Sequence, residues 1–240
     1  MEPLVPDYIA AVFVILSFTL LILILYGFKK ALINLGVDEV KRKRNIRRLA
    51  MLLLFWLLFL VKISDMQFFH DWLAMPPRML IAVLPPLVGV LALIFSDKLN
   101  AIVSAIPHHA LILIQSFRIV MEIILLILFL EYIIPVQMTF EGRNFDILAG
   151  ITALPVAYLV YKNKVSRNFI IGWNVFGLLL LANIVVVAML STPTAFRYFM
   201  NEPANTVIAY FPFVWLPGFV VPVAYTMHFL SLKKCFSEKK

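Results

Sequence analysis

The sequence predicts an all-α membrane bundle of seven spanning helices, with the N-terminus outside and the C-terminus in the cytoplasm. Three observations carry this. Of 240 residues, 63% are hydrophobic and 14% are charged, against about 45–50% and about 25% in soluble domains. The mean hydropathy is +0.97. The apolar residues fall in long unbroken runs without period-2 alternation, which excludes an outer-membrane barrel, and the cations flank those runs.

A spanning helix needs about 20 mainly apolar residues. The runs cover residues 8–26, 49–64, 79–95, 108–134, 147–161, 169–190 and 207–232. The first follows an acidic start, Met1-Glu2-Pro3-Leu4-Val5-Pro6-Asp7, and its cations come after it at Lys29 and Lys30. A secretory signal has the opposite order, so this run is expected to be a retained helix. The second run is short but extendable, and the third contains Pro85-Pro86. With seven crossings, 16 of the 21 Lys and Arg fall on one side, four on the other, and Arg118 within a span. That bias sets the orientation and favours an odd number of crossings. Phe68, Phe69 and Trp72 after the second span, and Phe196, Tyr198 and Phe199 after the sixth, suit headgroup depth.

The same composition excludes a disordered chain, a collagen and a disulfide-stapled module. No hydrophilic stretch is long enough to fold alone, so residues 1–240 are read as one bundle. Cys235 is the only cysteine, so neither an intrachain disulfide nor a cysteine cluster can form. The net charge of +8 sits beside apolar runs, where it meets lipid rather than nucleic acid. Lys41, Arg42, Lys43, Arg44, Arg47 and Arg48 are the expected contact with anionic lipid or an acidic membrane partner. No phosphate loop, zinc-helix motif, dinucleotide loop or nucleophile elbow occurs. The seventh run lacks the lysine of a retinal protein. No catalytic residue, cofactor or internal repeat is indicated.

The polar residues inside the spans carry the functional signal. On a helix, His108, Gln115, Arg118 and Glu122 fall within an arc of about 80°. A charge at bilayer depth costs about 2.5–3.5 kcal/mol or more, so this stripe must face the bundle interior. Arg118 and Glu122, four apart, can pair on that face, with Asn174 and Asn183 as hydrogen-bond partners. Arg118 is suited to an anionic or carbonyl group, and Glu122 to carrying a proton. The expected ligand-binding residues are Gln115, Arg118, Glu122, Asn174, Asn183, Tyr210 and Trp215, around an internal polar cavity.

The outer fourth loop, with Glu141, Arg143, Asn144 and Asp146, and the outer sixth loop, with Glu202, are the expected lid. Asp146 also stands where a side chain can cap the fifth helix. Pro212, Pro217 and Pro222 must free backbone carbonyls in the seventh run, which neighbours have to satisfy. His108, His109 and His228 share one leaflet but have no metal-site spacing, so no metal is expected and they stand only as weak ligands.

Gln115-Ser116-Phe117-Arg118, the loop Phe140-Glu141-Gly142-Arg143-Asn144-Phe145-Asp146, and Phe211-Pro212-Phe213-Val214-Trp215-Leu216-Pro217 resemble an uncharacterised family of small bacterial integral membrane proteins. The resemblance covers about the second half of the chain. It implies a multi-pass protein of the bacterial inner membrane and no activity. The expected function is binding or transport of a small molecule at the polar site on the fourth helix. Two other readings stand beside it: a structural subunit of a membrane complex, and an intramembrane enzyme acting on a lipid or quinone.

Overall fold

The computed structural model describes residues 5–96 and 98–237. The acidic start at Glu2 and the tail cations Lys239 and Lys240 lie outside the described residues. Among those described the chain is all helix, with no strand.

Helix α1 (Asp7–Asn34) and helix α2 (Glu39–Asp65) form the first pair. The turn between them is closed by Asp38, whose side chain accepts from the amides of Val40 and Lys41 at 3.0 and 3.3 Å, satisfying orphan donors of the first turn. The basic run from Lys41 to Arg48 is therefore the opening of α2, not a loop. It makes α2 far longer than the apolar residues 49–64 suggest. Helix α3 (Leu80–Ile94) carries Pro85 and Pro86 inside it. The chain then bends by 85° into the short α4 (Lys98–Ala105). Helix α5 (His108–Leu113) runs through a 3-10 turn, Ile114–Ser116, into α6 (Phe117–Leu130). Helix α7 (Ile147–Tyr161) has the expected bounds, and α8 (Arg167–Ser191) exceeds them slightly.

The seventh run departs most from its expected form. Residues 207–214 are not an α-helix: a single 3-10 turn, Val207–Ala209, is followed by turns. A π turn, Leu216–Val220, then leads into helix α9 (Val221–Ser237). The proline chemistry explains the break. Pro222 has no N–H to offer the Gly218 carbonyl, and the Trp56 indole supplies one at 2.8 Å. Ser64 caps the Ala209 carbonyl at 2.7 Å, and Trp215 donates to the Leu57 carbonyl at 3.1 Å. Helix α2 thus serves as the hydrogen-bonding partner of a segment that cannot satisfy itself.

Contacts sort the helix ends into two levels. At the upper level Tyr8 reaches Glu131 at 3.4 Å, Ser64 meets Ala209, and Gln137 meets Ser191 at 3.0 Å. At the lower level Asn34 donates to the Ala105 carbonyl at 2.9 Å, and Arg167 to the Cys235 carbonyl at 2.7 Å. Lys233 and Lys234 are not a free tail. The Lys233 ammonium caps the end of α3 through the carbonyls of Ile94 and Ser96. Lys234, 7% exposed, donates to Ser104 and Ile106 at 2.8 Å each and to Val103 at 3.4 Å, at the end of α4. Each ammonium meets the negative end of a helix dipole.

Helices Asp7–Asn34, His108–Leu130 and Arg167–Ser191 are long and apolar enough to cross a membrane, and the bent pair Leu80–Ile94 with Leu99–Ala105 together meets the same criterion. Mid-helix residues such as Ile22 (63% exposed), Phe55 (68%) and Leu179 (65%) face outward. Apolar surface on that scale points to a membrane protein.

Replacing Lys234 with Met should leave the end of α4 uncapped and cost about 2 kcal/mol. Cys235 is the single cysteine and is buried, so a thiol-reactive fluorophore reports the opening of this end. Lys234→Met should lower the midpoint of that thermal transition, whereas the exposed control Lys164→Met should leave it in place.

Candidate functional site

Helix α6 directs Arg118 and Glu122 into the bundle, where they are 1% and 2% exposed. They do not pair with each other. The Arg118 guanidinium forms a two-pronged ion pair with Asp146: Nε donates to Oδ2 at 2.6 Å and Nη2 to Oδ1. Nη1 donates to His228 Nε2 at 2.9 Å, and Nη2 also to the Gly177 carbonyl at 3.3 Å. Planar, bidentate contact is what a guanidinium does best with a carboxylate. Asp146 does stand at the N-cap of α7, but its side chain caps nothing there, because the carboxylate is given to Arg118.

Glu122 has a different partner. Asn144 Nδ2 lies 2.6 Å from Oε1 and 2.8 Å from Oε2, and 3.0 Å from the Met138 carbonyl. Asn144 Oδ1 accepts from the Asp146 amide at 3.0 Å, which fixes the orientation of the amide group. One asparagine therefore links the two carboxylates' positions.

The hydrogen bonds continue downward. Since Arg118 donates to Nε2 of His228, the other ring nitrogen carries the proton, and Nδ1 donates to Asn174 Oδ1 at 3.0 Å. Asn174 Nδ2 donates to Ser231 Oγ at 2.9 Å, and Ser231 meets His108 Nε2 at 2.9 Å. The path runs from the loop before α7 through α6, α9 and α8 to the start of α5. Gly177 permits it: a Cβ there would lie 2.6 Å from His228 Nε2 and closer still to Cε1. Gln115, fully buried, donates to the Ala224 carbonyl at 3.0 Å, and its Oε1 accepts from no group among the described residues.

Above this path lies a cavity of about 430 Å³ between α3, α6, α8 and α9, within the roughly 300–1,000 Å³ of small-molecule sites. Its walls are apolar, not polar as the sequence suggests: Trp72, Val83, Leu181, Val185, Phe196 and Ala224 are among them. Arg118, Glu122 and Asp146 also line it. On α8 and α9 the lining residues Leu181, Val185, Val221 and Ala224 sit nearer the upper level than Asn174, His228 and Ser231. The cavity lies in the upper half of the bundle, and the polar path runs through the lower half beside the apolar cluster of Ile112, Val156, Ile170 and Trp173.

The other expected residues are placed as follows. Asn183 is exposed, donating to the Arg143 carbonyl at 2.7 Å, because its helix face turns outward from Arg118. Tyr210 packs against His70 with ring centroids 4.3 Å apart and planes tilted by 36°, and Trp215 is core, edge-on to Phe18 and Phe211. Glu141, Arg143 and Glu202 are exposed. The Arg143 guanidinium lies over the Phe199 ring at 5.3 Å. Arg197 donates to Glu202 at 2.9 Å and holds its carboxyl below the usual range. The upper loops contribute Met138, Thr192, Thr194 and Phe196 to the cavity instead. The histidines are apart in role: His228 serves Arg118, His108 meets Ser231, and His109 packs edge-on against Tyr161 at 5.2 Å. Among the described residues no group of three or more His, Cys, Asp or Glu is placed to hold a metal.

Sequence reasoning missed Gly177, Ser231 and the joining of Asp146 to Arg118. A signal existed for the first two: Asn174 and Gly177, and His228 and Ser231, are each three apart and so share a helix face.

Asp146→Asn should strand the Arg118 charge and cost about 3–5 kcal/mol, read as loss of folded protein in gentle detergent. Glu122→Gln keeps an acceptor for Asn144 and should cost less than about 1.5 kcal/mol. An equal loss in both variants would show that Arg118 depends on the two carboxyls alike. Gly177→Ala should destabilise by about 1–3 kcal/mol through the clash with His228.

No curated protein and no solved structure matches this chain. One family model does, over residues 75–236, a span that contains α3 to α9 and every residue of the polar path. The match agrees with the resemblance of the second half of the sequence to an uncharacterised family, and it brings no activity. The chain belongs to the family described as Domain of unknown function (DUF8737).

Proposed function

We propose that this chain is a seven-span protein of the bacterial inner membrane, N-terminus outside and C-terminus cytoplasmic, that binds a small, mainly apolar molecule in the upper cavity. The single observation that carries the reading is an apolar cavity of about 430 Å³ with three ionisable side chains in its lining. Burying those charges is expensive without a use for them, and the walls suit a hydrocarbon. The sorting of helix ends into two levels supports seven crossings, α3 bending into α4 at the lower face. The lower level also holds the cations Lys233 and Lys234 and the start of α2, where Lys41, Lys43, Arg44, Arg47 and Arg48 are exposed, as contact with anionic lipid requires.

Binding fits better than passage. Arg118, His228, Asn174, Ser231 and His108 are bonded to one another beneath the cavity, and a solute would have to break that path to cross.

Native mass spectrometry of the gently extracted protein tests the reading. The parent chain should retain one small molecule of discrete mass. Val185→Trp, which fills the cavity from its wall, should lose that molecule while keeping the thermal midpoint of the parent. A parent chain that carries only heterogeneous lipid, with the same profile in Val185→Trp, would falsify the binding reading.

A further inference from the structure

The polar part of the cavity lining is unbalanced. Arg118 has five N–H donors, and four of them are already aimed at Asp146, His228 and the Gly177 carbonyl. Asn144 Nδ2 is shared between both Glu122 oxygens and the Met138 carbonyl. The donors of these two residues are therefore nearly exhausted. The acceptors are not. Each carboxylate offers about four lone-pair directions. Among the described residues Asp146 receives its side-chain bonds from Arg118 alone, and both Glu122 oxygens receive theirs from one nitrogen. One guanidinium then faces two carboxyl groups, and His228 accepts from Arg118 through Nε2, so acceptor oxygens outnumber the donors left to meet them.

We infer that the ligand is a single-chain amphiphile whose head donates hydrogen bonds and carries no negative charge, best an ammonium, seated against Glu122 with its hydrocarbon chain along the apolar walls. This rests on the binding reading above and sharpens it. An anionic head would find Arg118 already engaged and two carboxylates beside it, so the expectation that Arg118 receives an anion is reversed. A hydroxyl head can donate to Glu122 but has one hydrogen where an ammonium has three and brings no positive charge to the two carboxyl groups, so it should rank second.

Bromine-tailed dodecyl chains ending in ammonium, hydroxyl or carboxylate provide the test, because bromine quenches indole fluorescence and Trp72 lines the cavity. The protein is used whole, in lipid nanodiscs, and only quenching that saturates is scored. Saturable quenching should vanish in Trp72→Phe. The ammonium probe should bind at least about tenfold more tightly than the carboxylate, with the hydroxyl between. In Glu122→Gln the advantage of ammonium over hydroxyl should fall by about tenfold, with hydroxyl binding kept. The head series on the parent chain decides the matter even if that variant does not fold. Tightest binding of the carboxylate overturns the inference, as does an unchanged ranking in Glu122→Gln. Equal saturable binding of all three heads overturns it too, but leaves the cavity reading standing. Absence of saturable binding by every probe overturns both.

Discussion

The constraint on which the structure depends is the neutralisation of one guanidinium in the middle of an apolar bundle. Arg118 is 1% exposed, and an unpaired charge there would outweigh most of what the packing supplies. Its partners come from three other places in the chain: Asp146 at the start of α7, His228 on α9 and the Gly177 carbonyl on α8. Meeting that demand fixes where α7 begins, which face α9 presents and how closely α8 approaches. Gly177 is bare because the His228 ring occupies the space a side chain would need. On α7 the bare position is Gly150, where a Cβ would lie 2.9 Å from both Cγ1 and the backbone nitrogen of Ile119, so α6 and α7 pack in close contact.

A second demand is met in the segment that leads into α9. The prolines of the seventh run prevent a regular helix over residues 207–214, and the carbonyls left over are taken by Trp56 and Ser64 of α2. The break has a consequence for the cavity. Leu216, Pro217 and Val220 of the π turn line it together with α3 and α8, so the irregular entry into α9 helps to make the space instead of filling it. The bundle thus has a polar path through its lower half, beside a second apolar cluster, and an apolar hollow in its upper half, with the ion pair at the boundary. The family match over residues 75–236 takes in both halves, which makes α1 and α2 the portion of the chain outside it.

Much of this was legible in advance, in particular where the physics is local. The bounds of α7 and most of α8 follow from apolar run length, and the stripe of His108, Gln115, Arg118 and Glu122 follows from helical period; three of those four are buried and His108 is partly so. The pairing was not legible. Arg118 and Glu122 are well spaced for each other on one helix, yet each finds a partner with better geometry from residues 144–146, some two dozen positions away. Asn183 was misplaced because a lone polar residue in an apolar run does not say which face it occupies. Lys233 and Lys234 follow the last apolar run, and the sequence shows their charge but not the helix ends brought beneath them.

The sequence by itself determined that the chain is helical and suited to lipid, where the apolar runs lie, and that Arg118 and Glu122 must point inward. Composition and periodicity suffice for these, since solvent preference and helical phase are properties of neighbouring residues. Only the tertiary structure decided that Asp146 neutralises Arg118, that His228 and Asn174 extend the path to His108, and that the space above it is apolar. Those outcomes turn on side chains from distant segments meeting within hydrogen-bond distance, and a buried charge takes whichever partner the packing delivers at the right angle, not the one nearest along the chain.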